Sequence, residues 1–323
     1  MGISKPDLEE PMLHLRHLCE AQIETESVVT IGVFDGVHRG HRTMIRRLVE
    51  EARASERLAV VLTFHPHPDK VLGEVDRRYY LSSPEQRAKL LIALGVDLVI
   101  SHPFDEETRQ IRAEEFVDQL LRHLRLKELW VGEDFAMGYE REGTVEFLRR
   151  QGKIKGFSVT AIELIMSEAG GDSIHSSQVR NLVRQGEMRG AKGMLGRAYS
   201  IEGNVVMGQQ RGRRIGVPTA NLEVWEEQII PPNGVYACLA RLGEETLGAA
   251  TNIGVRPTFG EDRLSIEAHL LGFDRDIYGA SMELSFEARL RPERKFDGTE
   301  ELLRQIKLDI EEAKAVLEKV QLD

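Results

Sequence analysis

The sequence is poor in cysteine and has no long apolar run. Cys19 and Cys238 are the only cysteines among its 323 residues, and they lie too far apart for a metal-ligand spacing or a disulfide framework. No apolar stretch approaches the length that crosses a membrane, and the first residues lack the basic-then-apolar pattern of a signal peptide. We therefore expect a protein of the reducing cytoplasm without a membrane partner.

Basic residues are also in the minority. Lys and Arg number 43 against 53 Asp and Glu, so the formal net charge is −10. A chain of this sign gains nothing at long range from a phosphate backbone, and nucleic acid is not an expected partner. Small phosphorylated ligands remain possible, because a few local basic side chains and backbone N–H groups can hold them.

The pattern of apolar and turn-forming residues changes near the middle of the chain. Its length predicts two domains, and 41% hydrophobic with 30% charged residues is typical of globular ones. Up to about residue 185, short apolar runs alternate with amphipathic stretches, as in βαβ units around a parallel sheet. Beyond residue 197, glycine and proline separate short runs, which favours antiparallel strands. We predict an α/β domain at residues 1–185 and a β-rich domain at residues 186–323.

Several elements can be placed by periodicity. The predicted strands of the first domain are 28–33, 58–64, 96–100, 128–132 and 157–162, and its clearest helices are 86–94 and 113–124. A helical bridge is expected at 176–195, and an amphipathic helix at 298–319 closes the second domain.

A glycine-rich turn follows the first predicted strand and runs into an amphipathic helix. Residues 32–41 read Gly-Val-Phe-Asp-Gly-Val-His-Arg-Gly-His. Gly36 and Gly40 let backbone approach a ligand, and the helix start offers unpaired N–H groups where a phosphate could lie. His38 and His41 are three apart and can project from one face of the first turn, so both could donate hydrogen bonds to the negative charge that develops when a phosphorus centre is attacked. The alternative is two surface histidines on an ordinary turn.

This string resembles the FMN adenylyltransferase half of bacterial bifunctional riboflavin kinase/FAD synthetases, in the superfamily marked by His-x-Gly-His. Three later stretches are similar to that family in the same order: Thr-Phe-His-Pro-His-Pro at 63–68, Val-Gly-Glu-Asp-Phe at 131–135 and Ser-Ser-Gln-Val-Arg at 176–180. All lie at expected strand ends or helix starts, where doubly wound sheets bind ligands. Ala136-Met137-Gly138 and His175 depart from the family pattern.

The resemblance implies ligand contacts for this half. For Ser176, the alternative to an ATP contact is a plain helix N-cap. ATP would be bound by Gly32, Phe34, Gly36, Gly40, Asp134, Ser176, Ser177 and Arg180, and the flavin by His65 and Pro66.

The second domain opens with a loop rich in glycine and arginine. It has no Gly-Lys-Ser/Thr ending, so it is not a Walker A motif, yet its backbone could wrap phosphates, and we assign Gly208, Gly212 and Gly216 to ATP. Thr219 and Asn221 alternate and point to one side of an extended segment. Their oxygens suit Mg²⁺, although a polar face on an edge strand is the alternative.

Further along, Glu267 and His269 share one face of a predicted strand. A carboxylate there can accept a proton from an alcohol, although a lone Glu is usually solvated. Gly-Val-Pro-Thr-Ala-Asn-Leu at 216–222 resembles the riboflavin kinase signature. That resemblance implies Glu267 as catalytic base, and we expect a structural role for His269. We assign Asn252 and Arg291 to the flavin. Arg291 and Arg213 could also contact phosphate, although arginines on loops are most often solvated.

The resemblance implies a Rossmann-like nucleotidyltransferase domain followed by a six-stranded flavokinase β-barrel with a terminal helix. The implied enzyme phosphorylates riboflavin to FMN and then adenylates FMN to FAD, with ATP and Mg²⁺ at both sites. Two alternatives stay open. One is a riboflavin kinase with a degenerate first domain, and the other is a flavin-binding protein without turnover.

Overall fold

The computed structural model describes residues 13–73, 75–162, 166–167, 171–208, 216–257 and 262–320. The chain divides into two compact units. Unit 1 comprises Met1–Asp76 and Ser82–Ile174, and unit 2 comprises Arg77–Leu81 and His175–Asp323. The domain boundary after residue 185 stays a prediction.

Unit 1 alternates strands and helices along the chain, as the periodicity predicts. Its strands are β1 Leu13–Leu15, β2 Ser27–Ile31, β3 Leu58–Phe64, β4 Leu98–His102, β5 Leu126–Gly132, β6 Ala136–Met137, β7 Gly143–Thr144, β8 Ser158–Ile162, β9 Met166–Ser167 and β10 Gly171–Ser173. Its helices are α1 Arg39–Ala54, α2 Pro68–Leu72, α3 Pro84–Ile92, α4 Glu106–Gln110, α5 Ala113–Leu124 and α6 Val145–Lys155.

Six of these strands form one parallel sheet in the order β1-β4-β3-β2-β5-β8. Helices cover both faces: Ile45 of α1 and Leu91 of α3 pack with Val61 on one side, and Phe116 of α5 packs with Leu62 on the other. Burial on both faces explains why the strands read as continuous apolar runs. The strand order reverses at β2, so the crevice at the carboxyl ends of β2 and β5 is where such a sheet binds ligands.

Unit 2 is a closed antiparallel barrel with helices. Its elements are α7 Ser176–Gln185, α8 Met188–Leu195, β11 Tyr199–Val206, β12 Ala220–Val224, β13 Gly234–Leu242, β14 Glu245–Pro257, β15 Asp262–Leu270, β16 Ser281–Pro292 and α9 Thr299–Val320. The barrel order is β11-β12-β15-β14-β13-β16. Phe286 packs against Tyr199 and Tyr236 in its core. The prediction of an α/β part followed by a six-stranded barrel and a terminal helix is confirmed.

One helix prediction needs correction. The expected bridge over 176–195 is two helices, because Gly186 ends α7 in the left-handed region with φ 80°. A side chain is disfavoured at that φ, and a Cβ on Gly186 would also lie 3.0 Å from Cδ of Arg289.

A short segment, residues 77–81, belongs to unit 2 although its sequence neighbours belong to unit 1. We call it the strap. The backbone N–H groups of Tyr79 and Tyr80 donate to the Glu227 carbonyl (2.8 and 3.1 Å), and the N–H of Ile229 donates to the Tyr80 carbonyl at 2.8 Å. The fully buried Tyr80 ring packs on Trp225, with ring centroids 5.0 Å apart.

Among the described residues, no helix combines the length and the apolar character that crossing a membrane requires.

Candidate active sites

Residues 32–41, the His loop, leave the carboxyl end of β2 in an unusual backbone conformation. Phe34, Gly36 and Val37 have φ values of 51°, 76° and 42°. A positive φ is strained for Phe and Val. Both side chains are nonetheless buried, at 4% and 1% exposure, in the core beneath α1 and α3. Burial of these two side chains therefore stabilises a strained turn that leads into α1.

The two predicted histidines meet at that start. His38 is the N-cap of α1, and its Nδ1 accepts a hydrogen bond from the backbone N–H of His41 at 3.4 Å. The two rings stack with centroids 3.6 Å apart, and Phe34 contacts His41 edge-on. A Cβ on Gly40 would lie 3.3 Å from the His38 ring, so glycine gives this ring its space.

His41 is suited to donating a hydrogen bond while uncharged. Because Nδ1 of His38 accepts, the proton of its neutral ring is on Nε2. Burial, with smaller contributions from the charges of His38 and Arg87, holds the pKa of His41 well below its ordinary value. Within the described part of the chain, no group hydrogen-bonds to the buried Nδ1 of His41. A neutral His41 ring carries one N–H donor and no charge of its own.

A buried polar network underlies the His loop. The Asp35 carboxylate accepts from the N–H of Ser82 at 3.2 Å and from its Oγ at 3.4 Å, and Nη2 of Arg87 lies 3.6 Å from Asp35 Oδ1. The sequence analysis did not select Ser82 or Arg87. One signal was present for Arg87, since it is a basic residue on the same apolar stripe of α3 as Ala88 and Leu91.

Two neighbouring strand ends bring three more predicted contacts to this edge of the sheet. Asp134 follows β5 and is exposed, and β5 pairs directly with β2. His65 and Pro66 follow β3, on the other side of β2, where the His65 N–H donates to the His102 carbonyl at 3.0 Å. Because parallel strands end at one edge, the His loop, Asp134 and His65 all lie along the carboxyl edge of the sheet.

Ser176, Ser177 and Arg180 belong to unit 2. The N-cap of α7 is His175, whose N–H donates to Oε1 of Gln178 at 2.9 Å, so the alternative of Ser176 as N-cap is wrong. Arg180 is 6% exposed and its guanidinium lies over the Tyr79 ring, 4.0 Å from the centroid.

The second candidate site is a row of polar side chains across three barrel strands. Glu267 on β15 is in register with Asn221 on β12 and with Asn252 on β14. Residues directly opposite in antiparallel strands share a face, so the three side chains lie side by side. Oγ1 of Thr219 donates to Glu267 at 3.3 Å, and Oγ of Ser265 donates to its other carboxylate oxygen at 3.1 Å. Sequence analysis assigned no role to Ser265, which is two residues from Glu267 on the same face.

The loops beside this row are shaped by close contacts. A Cβ on Gly208 would lie 2.1 Å from Nδ2 of Asn221, so any larger residue there would displace the Asn221 side chain. Gly216 has φ 79°, and Gly212 lies outside the described residues, as does Arg213. His269 donates from Nδ1 to the Pro218 carbonyl at 2.8 Å, which anchors the backbone next to Thr219. This contact agrees with a structural role for His269.

A cavity of about 350 Å³ opens next to Thr219. Pro218, Ala220 and Leu270 line one side, and the loop from Phe273 to Tyr278 lines the other. Its volume lies within the range of about 300–1,000 Å³ that is typical of small-molecule sites. No residue of the Phe273 to Tyr278 loop was among the predicted site residues.

Arg291 lies in a different setting. Its Nε and Nη2 donate to the two carboxylate oxygens of Asp309 on α9, both at 2.8 Å, and its Nη1 donates to the Pro292 carbonyl at 3.0 Å. The guanidinium therefore joins the barrel to the terminal helix, and a flavin or phosphate contact stays a prediction.

Comparison with known proteins covers both units. A family model described as FAD synthetase matches residues 20–178, and one described as riboflavin kinase matches residues 195–317. The bifunctional riboflavin kinase/FMN adenylyltransferase of Listeria monocytogenes is 35% identical over 92% of this chain and 95% of its own length. The protein of the same name from Escherichia coli is 37% identical over 87% of this chain and 90% of its own length. The chain belongs to the bifunctional riboflavin kinase/FMN adenylyltransferase family.

This membership confirms the resemblance that the two motifs indicate. Because the FAD synthetase model matches the half that carries the His loop, both activities are favoured over a kinase alone. A solved structure described as a macrolide-efflux protein from Streptococcus pneumoniae also shares the fold, with a TM-score of 0.84 at 27% identity over 94% of this chain and 99% of that chain. We take only the fold from this likeness.

Proposed function

We propose that the barrel phosphorylates riboflavin and that the parallel-sheet unit then adenylates the FMN produced. The observation that carries this proposal is the presence of two separate reaction-ready groups, a stacked histidine pair at a helix start and a carboxylate in a row of amide and hydroxyl oxygens. A protein that only carries flavin needs neither a proton acceptor nor paired imidazoles.

In the kinase step, Glu267 accepts the proton of riboflavin's terminal ribityl hydroxyl as that oxygen attacks the γ-phosphorus of ATP, and ADP leaves. Thr219 and Ser265 each donate to one carboxylate oxygen, so the orientation of Glu267 is fixed before substrate binds. The adjacent cavity is the proposed place for the nucleotide, with Gly208, Gly212 and Gly216 near its phosphates, and Asn252 and Arg291 remain proposed flavin contacts.

The oxygen donors of the row also fit a magnesium ion. Thr219, Asn221 and Glu267 present hydroxyl, amide and carboxylate oxygens close together, and Mg²⁺ commonly takes few protein ligands beside substrate phosphates and water. We propose Thr219 and Asn221 as its ligands. When bound, Mg²⁺ neutralises charge on the triphosphate.

In the adenylyl-transfer step, a phosphate oxygen of FMN attacks the α-phosphorus of ATP, and pyrophosphate leaves. His38 and His41 donate N–H groups to the oxygens where negative charge develops. Gly32, Phe34, Gly36, Gly40 and Asp134 are the proposed nucleotide contacts. We propose His65 and Pro66 for the flavin and Ser176, Ser177 and Arg180 for the ATP phosphates.

The test separates the two steps by substitution. Purified protein with riboflavin, ATP and Mg²⁺ should form FMN first and FAD later, as followed by chromatography. Glu267→Ala should slow FMN formation by about 10²- to 10⁴-fold yet leave conversion of supplied FMN to FAD unchanged. His41→Ala should slow conversion of FMN to FAD and leave riboflavin phosphorylation unchanged. The opposite selectivity would refute the assignment of sites, and FMN alone from the unchanged protein would favour the kinase-only alternative.

We also propose that the protein works in a reducing compartment such as the cytoplasm. Both cysteines are free, with Cys19 exposed and Cys238 buried.

A further inference from the structure

Arg87 is a fully buried cation at the base of the His loop. Its exposure is 0%, and its neighbours along the same stripe of α3, Ala88 and Leu91, pack against Val61 and Val99 of the sheet. A charge in such a place is costly, and well-packed apolar residues would serve stability equally well or better. A fully buried charge at this position therefore favours a role other than stability.

The guanidinium joins two strand ends. Its Nη1 donates to Oγ1 of Thr63 at 3.1 Å and to the Phe64 carbonyl at 3.3 Å, both at the carboxyl end of β3. Thr63 in turn donates to the Val33 carbonyl in the His loop at 2.7 Å. On its other side Arg87 faces the carboxylate of Asp35, at 3.6 Å.

Asp35 and its partners set the backbone that presents the histidines. Ser82 donates twice to Asp35, and Oγ of Ser82 also accepts from the N–H of Gly36 at 3.2 Å. Gly36 is one of the residues with positive φ, and His38 follows two positions later. The planar, five-donor guanidinium suits this bridging position better than an ammonium group.

We propose that Arg87 is a positioning residue of adenylyl transfer, whose guanidinium joins the end of β3 to Asp35 and thereby holds His38 and His41 in the arrangement that receives the triphosphate. The inference rests on the proposed adenylyl transfer. Arg87 also acts electrostatically: together with the more important burial and the charge of His38, it lowers the pKa of His41. Asp35, from the His loop, is the acidic group paired with Arg87.

Two variants separate charge from shape. Arg87→Gln keeps a hydrogen-bonding group but removes the charge, and Arg87→Lys keeps the charge but loses the planar fork. Arg53→Gln is the control. Arg53 lies at the opposite end of α1 from the His loop, is partly exposed and pairs with Asp97. Three quantities are measured for each: kcat and KM for conversion of FMN to FAD, the NMR titration of His41, and riboflavin phosphorylation as a check on the other unit.

The proposal expects Arg87→Gln to lower kcat for adenylation by at least about tenfold and to raise the pKa of His41, with riboflavin phosphorylation within about twofold of the unchanged protein. Arg87→Lys should keep the low His41 pKa and recover part of kcat. An unchanged His41 titration in Arg87→Gln, or an adenylation loss matched by Arg53→Gln, would overturn the proposal. If the unchanged protein makes no FAD, the proposed function fails, and the His41 titration still decides whether Arg87 sets this ring's environment.

Discussion

At the residue scale, the contact between Gly208 and Asn221 links the phosphate loop to the proposed magnesium ligands. A Cβ on Gly208 would lie 2.1 Å from the Asn221 amide nitrogen, so Gly208→Ala must displace this side chain. We expect the Mg²⁺ and ATP concentrations for half-maximal riboflavin phosphorylation to rise on the order of tenfold, because a ligand would be misplaced. Initial rates at varied Mg²⁺ and ATP measure the effect.

Gly193 offers a matched glycine for this test. It is a helical, exposed residue of α8, and a Cβ there would meet no atom within 4 Å. Gly193→Ala should leave both activities unchanged and stabilise the protein by about 0.5–1 kcal/mol. If Gly208→Ala also leaves the Mg²⁺ dependence unchanged, the proposed role of Asn221 is contradicted.

His102 gives unit 1 a stability that depends on pH. Burial, then the charge of His17, lowers its pKa from 6.5 to about 4, while Asp105 opposes the shift, and Nδ1 accepts from the Leu18 N–H at 3.3 Å. The folded state therefore binds a proton less readily than the unfolded chain. The contribution is complete above about pH 6.5 and is lost as pH falls toward 4.

The substitution His102→Asn tests this dependence because Asn keeps an acceptor for Leu18 but does not titrate. Denaturant unfolding at pH 7 and pH 5 should show a smaller loss of stability on acidification in the variant than in the unchanged protein. Equal losses in both would show that His102 does not carry the effect.

At the element scale, the terminal helix is attached to the barrel partly by an ion pair. Arg291 on β16 and Asp309 on α9 are 19% and 5% exposed at their side chains, and Gln305 also donates to Asp309 at 2.7 Å. Asp309→Ala leaves the partly buried Arg291 guanidinium without this carboxylate and should cost about 3 kcal/mol of unfolding free energy, at the low end of the range for buried pairs. Replacing both residues by Leu should recover most of this loss, as measured by denaturant unfolding.

The same pair decides the role of Arg291. In the double Leu variant, an unchanged KM for riboflavin indicates that Arg291 acts only between β16 and α9. A rise in KM at recovered stability would support the predicted flavin contact.

The long strands of unit 1 and several helices could be predicted from periodicity, whereas the bounds of the barrel strands and several short elements could not. β3 and α5 match their predicted bounds, and the terminal helix is shifted by one residue, since apolar spacing is strong in all three. β1 was not predicted because three residues are too few to show a strand's alternation of apolar and polar side chains. The break at Gly186 was not predicted because the helical spacing of apolar residues continues on both sides of it.

The candidate sites show a similar division. The His loop was predictable because its glycines and histidines are adjacent in sequence. The row of Asn221, Asn252 and Glu267 depends on strand register, and Arg87 reaches the His loop from α3. Such long-range contacts leave little trace in local sequence.

At the scale of the whole molecule, the strap shows that the units are not continuous pieces of sequence. Its partners include Trp225 to Ile229, about 150 residues downstream, and three of its hydrogen bonds join backbone groups of the two segments. Backbone pairing carries no residue signature, so this assignment could not be predicted. A fragment that begins at residue 186 lacks the strap together with α7.

The strap predicts that a residue inside the sequence span of the adenylyltransferase part stabilises the kinase barrel. Tyr80→Ala in the full chain removes a fully buried ring from Trp225 and should destabilise unit 2 by about 3–5 kcal/mol. Loss of riboflavin phosphorylation on heating should therefore begin at a lower temperature. Arg77→Ala, which removes an exposed ion pair with Glu226, should cost less than about 1 kcal/mol. If Tyr80→Ala lowers the heat resistance of FMN adenylation but not of riboflavin phosphorylation, the strap stabilises unit 1 instead, and its assignment to the barrel is wrong.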